Sequence, residues 1–267
     1  MIAMLLASML LVGEVDCAPP PGLELVWRDD RTRFLVVGET HGTAEAPAAF
    51  AEMTCAASEN GPVVAALELP ELMQPQLEAM MAAPDDATAK AALEGTWFLN
   101  PRIDDGRTSV AMRAMLYRLR SLRQAGRDVT IHAFVPSLRR APGLGQAYSE
   151  IHMAARLSDA ARNRPDARIL VLVGKAHASK QAVEGGRIGL PAVGHLPPEE
   201  VVSLVIAPQG GEAWNCRPDC GVHVMEAIDD PTTRGVSLTA VEDGAYDGKL
   251  RLGPTTASRP VMQPQQP

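Results

Sequence analysis

Apolar residues fall along this chain in short compact runs separated by longer amphipathic stretches. Residues 34–37, 63–67, 129–135 and 169–173 are such runs, bounded by Gly, Pro, Asn or charged residues, as expected of strands buried on both faces. Residues 23–27 read as a leading strand that turns at 28–32. Helical period fills the gaps. Residues 44–58 place Phe50, Met53 and Ala57 on one side, with Pro47 tolerable only in a first turn, and Asn60-Gly61-Pro62 ends them. Residues 70–82 and 148–163 also read as helices. The strongest helical pattern is at 109–124, where Met112, Met115, Leu116 and Leu119 oppose a largely arginine face ahead of Gly126. Further strands are expected at 201–207, 236–240 and 249–252. Strands alternating with helices predict an α/β fold: a mostly parallel central sheet, helices on both faces, and late edge strands or hairpins.

The strand ends carry the candidate chemistry. Gly38-Glu39-Thr40-His41 closes one run, Gly174-Lys175-Ala176-His177 closes another, and the run at 63–67 ends in Glu68. Ligands in open α/β sheets bind beyond the carboxyl ends of the strands, so adjacent parallel strands would gather Glu39, His41, Glu68 and His177 into one catalytic cleft. A single histidine after a strand reads as a turn residue; two, joined by carboxylates, read as a site. Imidazoles with carboxylates suit a divalent transition metal, Mn or Zn first and Fe or Co next, rather than Ca, and the same four residues would be its ligands. Such an ion would activate water. In the metal-free alternative His41 activates water, a carboxylate fixes its tautomer, and His177 stabilises or protonates the reacting group. Gly38, Gly42 and Gly174 give room for tight strand exits, and neither motif is a phosphate-binding fingerprint.

Composition narrows the partners. A chain of 267 residues, 46% hydrophobic and 21% charged, supports one substantial core, placed at 23–258 between a signal or mobile segment at 1–22 and a disordered Pro/Gln-rich tail at 259–267. The net charge of -7, without a basic track interleaved with aromatics, argues against nucleic acid and leaves a small molecule or peptide as the expected substrate. Residues 2–12 are apolar but too short for a permanent membrane span, and read as the core of an export signal, with a first buried helix as the competing reading. A periplasmic or secreted location is expected. Cys216 and Cys220 bracket the turn-rich Arg217-Pro218-Asp219 and are read as a local disulfide, against free thiols or half a zinc site. Cys17 and Cys55 are a second candidate pair. His132 lies within a strand, Tyr148 and His152 share a helical face, and all three are candidate pocket residues.

Together the segments Val36-Val37-Gly38-Glu39-Thr40-His41-Gly42-Thr43, Ala66-Leu67-Glu68 and Val171-Leu172-Val173-Gly174-Lys175-Ala176-His177-Ala178 carry a family resemblance. In motif order the chain resembles, over residues 24–253, the superfamily joining erythromycin esterases, TraB/GumN and TIKI proteins and ChaN-like haem-uptake proteins, nearest the ChaN-like group. That resemblance implies an α/β fold and a functional cleft at His41, Glu68 and His177, with Glu39 matching the esterase-like version. It implies a hydrolase of an ester or amide bond. Haem or metal binding for uptake is the alternative it opens, and a noncatalytic interaction protein is the third reading. Tyr246-Asp247-Gly248 and Thr255-Thr256-Ala257-Ser258 resemble a closing segment of secreted relatives, expected to act structurally.

Overall fold

The computed structural model describes residues 15–137, 145–182, 188–216 and 219–263, so the apolar segment at 2–12 lies outside the described residues. Its strands are β1 (Phe34–Glu39), β2 (Val63–Pro70), β3 (Val129–Val135), β4 (Arg168–Gly174), β5 (Val201–Ile206), β6 (Glu212–Cys216), β7 (Cys220–Val224), β8 (Gly235–Ser237) and β9 (Gly248–Arg251). Seven of them form one sheet in the order β3-β2-β4-β1-β5-β9-β8. All neighbours in it are parallel except β8 against β9, the late edge strand that the sequence led us to expect. Strands β6 and β7 pair separately as an antiparallel hairpin.

Helices α1 (Glu45–Ala57), α2 (Gln74–Ala82), α3 (Asp86–Leu93), α4 (Val110–Gln124), α5 (Gln146–Asn163) and the single turn α6 (Lys175–Ala178) cover the sheet. Successive side chains of a strand point to opposite faces. Leu35, Val37, Ala65 and Leu67 therefore pack into one core with Phe50, Leu77, Met115 and Leu119 from α1, α2 and α4. Phe34, Val36, Val64 and Ala66 pack into the other with Met153 and Leu157 of α5. Burial on both faces explains why β1, β2 and β4 read as unbroken apolar runs rather than alternating ones.

Three expectations change. Residues 23–27 form a 3-10 helix, because Gly22 turns the chain at φ 81 and the two apolar anchors, Leu23 and Val26, are three apart and buried together. The segment before it is tied rather than loose: a Cys17–Cys55 disulfide joins it to α1, and Ala18 N–H donates to Glu52 at 2.8 Å. The start of the C-terminal tail is also held, since Val110 N–H donates to Arg259 O at 2.9 Å and Val261 N–H to Thr108 O at 2.9 Å.

Candidate active site

Strand register brings the predicted residues to one level. Glu39 at the end of β1 is the register partner of Gly174 at the end of β4, and Leu67, one residue before Glu68, pairs with Leu172. Both Gly-x-x-His segments thus leave the sheet beside Glu68. Gly38 admits α6 at this edge, as a Cβ there would lie 2.8 Å from that of Ala178. At Gly174 a Cβ would lie 3.2 Å from His41 Nε2 and 3.3 Å from Glu68 Oε2, so the bare backbone is what lets the side chains close up.

His41 is held between two carboxylates, Nδ1 at 2.9 Å from Glu39 Oε1 and Nε2 at 3.4 Å from Glu68 Oε2. Burial disfavours its cation, but the Glu68 charge and the Glu39 hydrogen bond outweigh burial and push its pKa up to about 10. Near neutral pH it is an imidazolium. Glu68 is buried as well, and burial alone would raise its pKa; the charge and hydrogen bond of His41, then the charge of Arg107, hold it well below the usual carboxylate range. Its Oε2 accepts Gly174 N–H at 2.7 Å, and its Oε1 accepts from Arg107 Nη1 at 3.2 Å.

His177 has a different environment. Its Nδ1 lies 2.9 Å from Oε2 of Glu150, a fully buried residue of α5 that also accepts Ala192 N–H at 3.0 Å and Gln146 Nε2 at 3.1 Å. A carboxylate can only accept, so Nδ1 carries the proton and Nε2 is the nitrogen without a partner among the described residues. Burial lowers the His177 pKa, the Glu150 hydrogen bond and the Glu68 charge more than reverse this, and the charge on His41 opposes them; the net shift is upward. Glu68 thus acts electrostatically on both imidazoles.

Two residues of this cluster escaped the sequence reading. Arg107 sits in the loop before α4, bound to Asp105 at 2.7 Å with its guanidinium 5.2 Å over the Trp97 ring; its signal was the polar Asp105-Gly106-Arg107-Thr108 entry to a strong helix. Glu150 was hidden among helical residues, and its only signal was an acidic side chain on the apolar face of α5. The pocket candidates, in contrast, lie elsewhere. His132 Nε2 bonds Arg156 O at 3.0 Å, packing β3 against α5, and burial lowers its pKa. His152 pairs with Glu71 at 3.2 Å, and Tyr148 stacks at 6.2 Å from His152 on the partly open face of α5. None of the three lines a cavity beside the cluster.

Among the described residues, two cavities flank the cluster. One of about 470 Å³ extends from Glu39 over the ends of β5 and β9, and one of about 570 Å³ extends from Arg107 over the ends of β2 and β3. The β6–β7 hairpin braces the loops between them: Trp214 N–H donates to Gly42 O at 2.9 Å and its indole Nε1–H to Asp104 O at 2.7 Å. Cys216 and Cys220 close the hairpin as a disulfide. Tyr246 takes the structural role expected of it, its hydroxyl donating to Lys175 O at 2.7 Å, and Asp247 does likewise by pairing with Lys180 at 2.8 Å.

The donor set does not fit a divalent metal. Both His41 nitrogens are directed at carboxylates, both Glu68 oxygens are engaged, and the Arg107 cation lies where it would repel an ion. Among the described residues, donors converge only at Asp104, Cys216 and Cys220, where both sulfurs are spent in the disulfide.

No family's sequence profile matches this chain, and no curated protein matches it by sequence. Its shape does match known ones. An erythromycin esterase, EreC, in its open conformation aligns over 88% of this chain and 93% of its own with a TM-score of 0.64 at 11% identity. A succinoglycan biosynthesis protein aligns over 90% and 92% with a TM-score of 0.66 at 8% identity. The chain shares the fold of these two proteins. At such identity the likeness to the esterase establishes architecture alone. ChaN of Campylobacter jejuni, described with cofacial haem, covers 85% of the chain at a TM-score of 0.42 and 14% identity.

Proposed function

We propose that this chain is an exported hydrolase of an ester or amide bond that works without a metal. The observation that carries the reading is the unlike hydrogen bonding of two histidines in one cleft. His177 has its Nδ1–H fixed by buried Glu150 and its Nε2 unpartnered, the arrangement of a general base; His41, doubly bound to carboxylates, is an imidazolium and a general acid. In the reaction, a water oxygen bonds to the carbonyl carbon as its proton passes to His177 Nε2. His41 gives a proton to the departing oxygen or nitrogen as that bond breaks; His41 then regains a proton from the carboxylic acid released, and His177 gives up its extra proton to solvent or to the released amine, which restores both sites. Arg107, beside Glu68, offers positive charge to the oxyanion. This assignment reverses the roles that the sequence suggested for the two imidazoles. The fold shared with an erythromycin esterase supports the reaction class, and two disulfides fit an oxidising compartment.

Haem or metal uptake is less well served, because both His41 nitrogens face carboxylates and only His177 Nε2 is open to a ligand. The test is hydrolysis of a panel of chromogenic esters and anilides by chelator-treated protein. Activity should survive chelation and fall by about 10²-fold or more in H177A and in H41A, each still folded by circular dichroism. Full activity in a folded H41A/H177A double variant, or loss on chelation with recovery on adding Mn or Zn, would overturn the proposal.

A further inference from the structure

The cavity on the Glu39 side is built for a ligand of particular chemistry. Its wall is apolar, made by Val205, Ile206, Pro208, Met225, Ile228 and Leu252, and its volume of about 470 Å³ lies within the ~300–1,000 Å³ of small-molecule sites. Polar groups in that wall are mostly occupied. Lys249 is paired with Asp229 at 2.7 Å, while Gln209 donates to Thr233 O at 2.9 Å and accepts Gly253 N–H at 2.7 Å. Lys175 and Glu242 line the cavity with opposite charges, so they give it no net preference for an anion. The exception is Glu39. Its side chain is 4% exposed, Oε1 is bound to His41, and Oε2 is buried without a hydrogen-bond partner among the described residues. A buried carboxylate oxygen left unpaired is costly, and an O–H or N–H brought by a ligand removes that cost.

Resting on the hydrolase reading, we infer that this cavity is the substrate's apolar subsite, and that the group bound there carries a hydrogen-bond donor, a hydroxyl or an ammonium, to Glu39 Oε2. The substrate class is an ester or amide of a medium-sized apolar group bearing such a donor. A carboxylate at that position is rejected by Glu39. Ile228 at the mouth, 73% exposed and outside the catalytic cluster, sets how much of the subsite is open.

Direct binding separates this inference from the catalytic one. The intact, disulfide-bonded chain is titrated at pH 7 with hexan-1-ol, hexan-1-amine and hexanoate, following shifts in its NMR spectrum. The alcohol and amine should bind about tenfold or more tightly than hexanoate, and Ile228→Trp should weaken both by a similar factor while Ile228→Ala does not. Hexanoate binding as tightly as hexan-1-ol, or no effect of Ile228→Trp, overturns the subsite whether or not esters are cleaved. Donor-selective binding in a protein that cleaves no ester or anilide supports the subsite and overturns the hydrolase.

Discussion

A single imidazole between two carboxylates makes a pH-dependent contribution whose sign is fixed. The folded-state pKa of His41, about 10, lies above its ordinary value of about 6.5, so the native chain binds a proton there that the unfolded chain releases. The stabilisation is complete below about 6.5 and is lost as pH rises toward about 10. Glu68, with its pKa depressed, contributes above its unfolded value and loses that contribution as the medium turns acid. Thermal unfolding of the parent protein should therefore occur at progressively lower temperature between pH 6.5 and 10, and H41A should flatten that slope. An equal slope in H41A would show that other groups carry it. The same pair shapes catalysis: the rate should climb as His177 loses its proton, at a pH above the ordinary histidine value, and fall near 10 as His41 loses its own. Glu150→Gln should move the rising limb to lower pH, because the interaction that raises His177 is removed; Glu150 is a positioning residue, and an unmoved limb would deny it that role.

At the scale of elements, the turn after β1 is the most constrained piece of the site. Gly42 has φ 83, and a Cβ there would lie 1.9 Å from Trp214 O, so hairpin and turn meet backbone to backbone. Gly42→Ala should cost ~1–3 kcal/mol for the backbone conformation alone, with more from the clash, and reduce kcat through displaced His41. Chemical denaturation with parallel kinetics tests this, and a variant of parental stability would refute it. The turn also marks how far the sequence could be read. Residues 34–37, 63–67 and 169–173 announced themselves because strands buried on both faces must be apolar throughout, residues 129–135 did so as the half-buried edge strand β3, and the Gly-x-x-His ends followed from parallel pairing. Arg107 and Glu150 were illegible for the opposite reason: each reaches the cluster from a separate element, and no local pattern encodes that approach. The β6–β7 hairpin was missed as strands because its two short runs are only partly buried. Leu23 and Val26 misled because five apolar-rich residues fit a period of three as readily as two.

Across the whole molecule the two disulfides close loops of very different size, and their effects should separate. Cys17 and Cys55 are 38 residues apart, which in the chain-entropy account corresponds to ~4 kcal/mol of stabilisation, whereas Cys216 and Cys220, 4 apart, correspond to ~2 kcal/mol. Position divides them further. The first fastens the segment before the fold to α1, on the side of Leu35 and Val37, and touches no residue of the cluster. The second closes the hairpin whose Trp214 holds the Gly42 turn and the loop bearing Asp104, Asp105 and Arg107. Replacing the first pair with serines should lower the unfolding free energy by the larger amount and leave kcat/KM nearly unchanged. Replacing the second should cost less stability yet lower kcat/KM, because Arg107 and His41 lose a common brace. Urea unfolding and ester kinetics on the two double variants test both halves. Loss of activity following the Cys17 and Cys55 substitutions in fully folded protein, with none following those at Cys216 and Cys220, would mean that the site is organised from the α1 side and that the hairpin is only a cover.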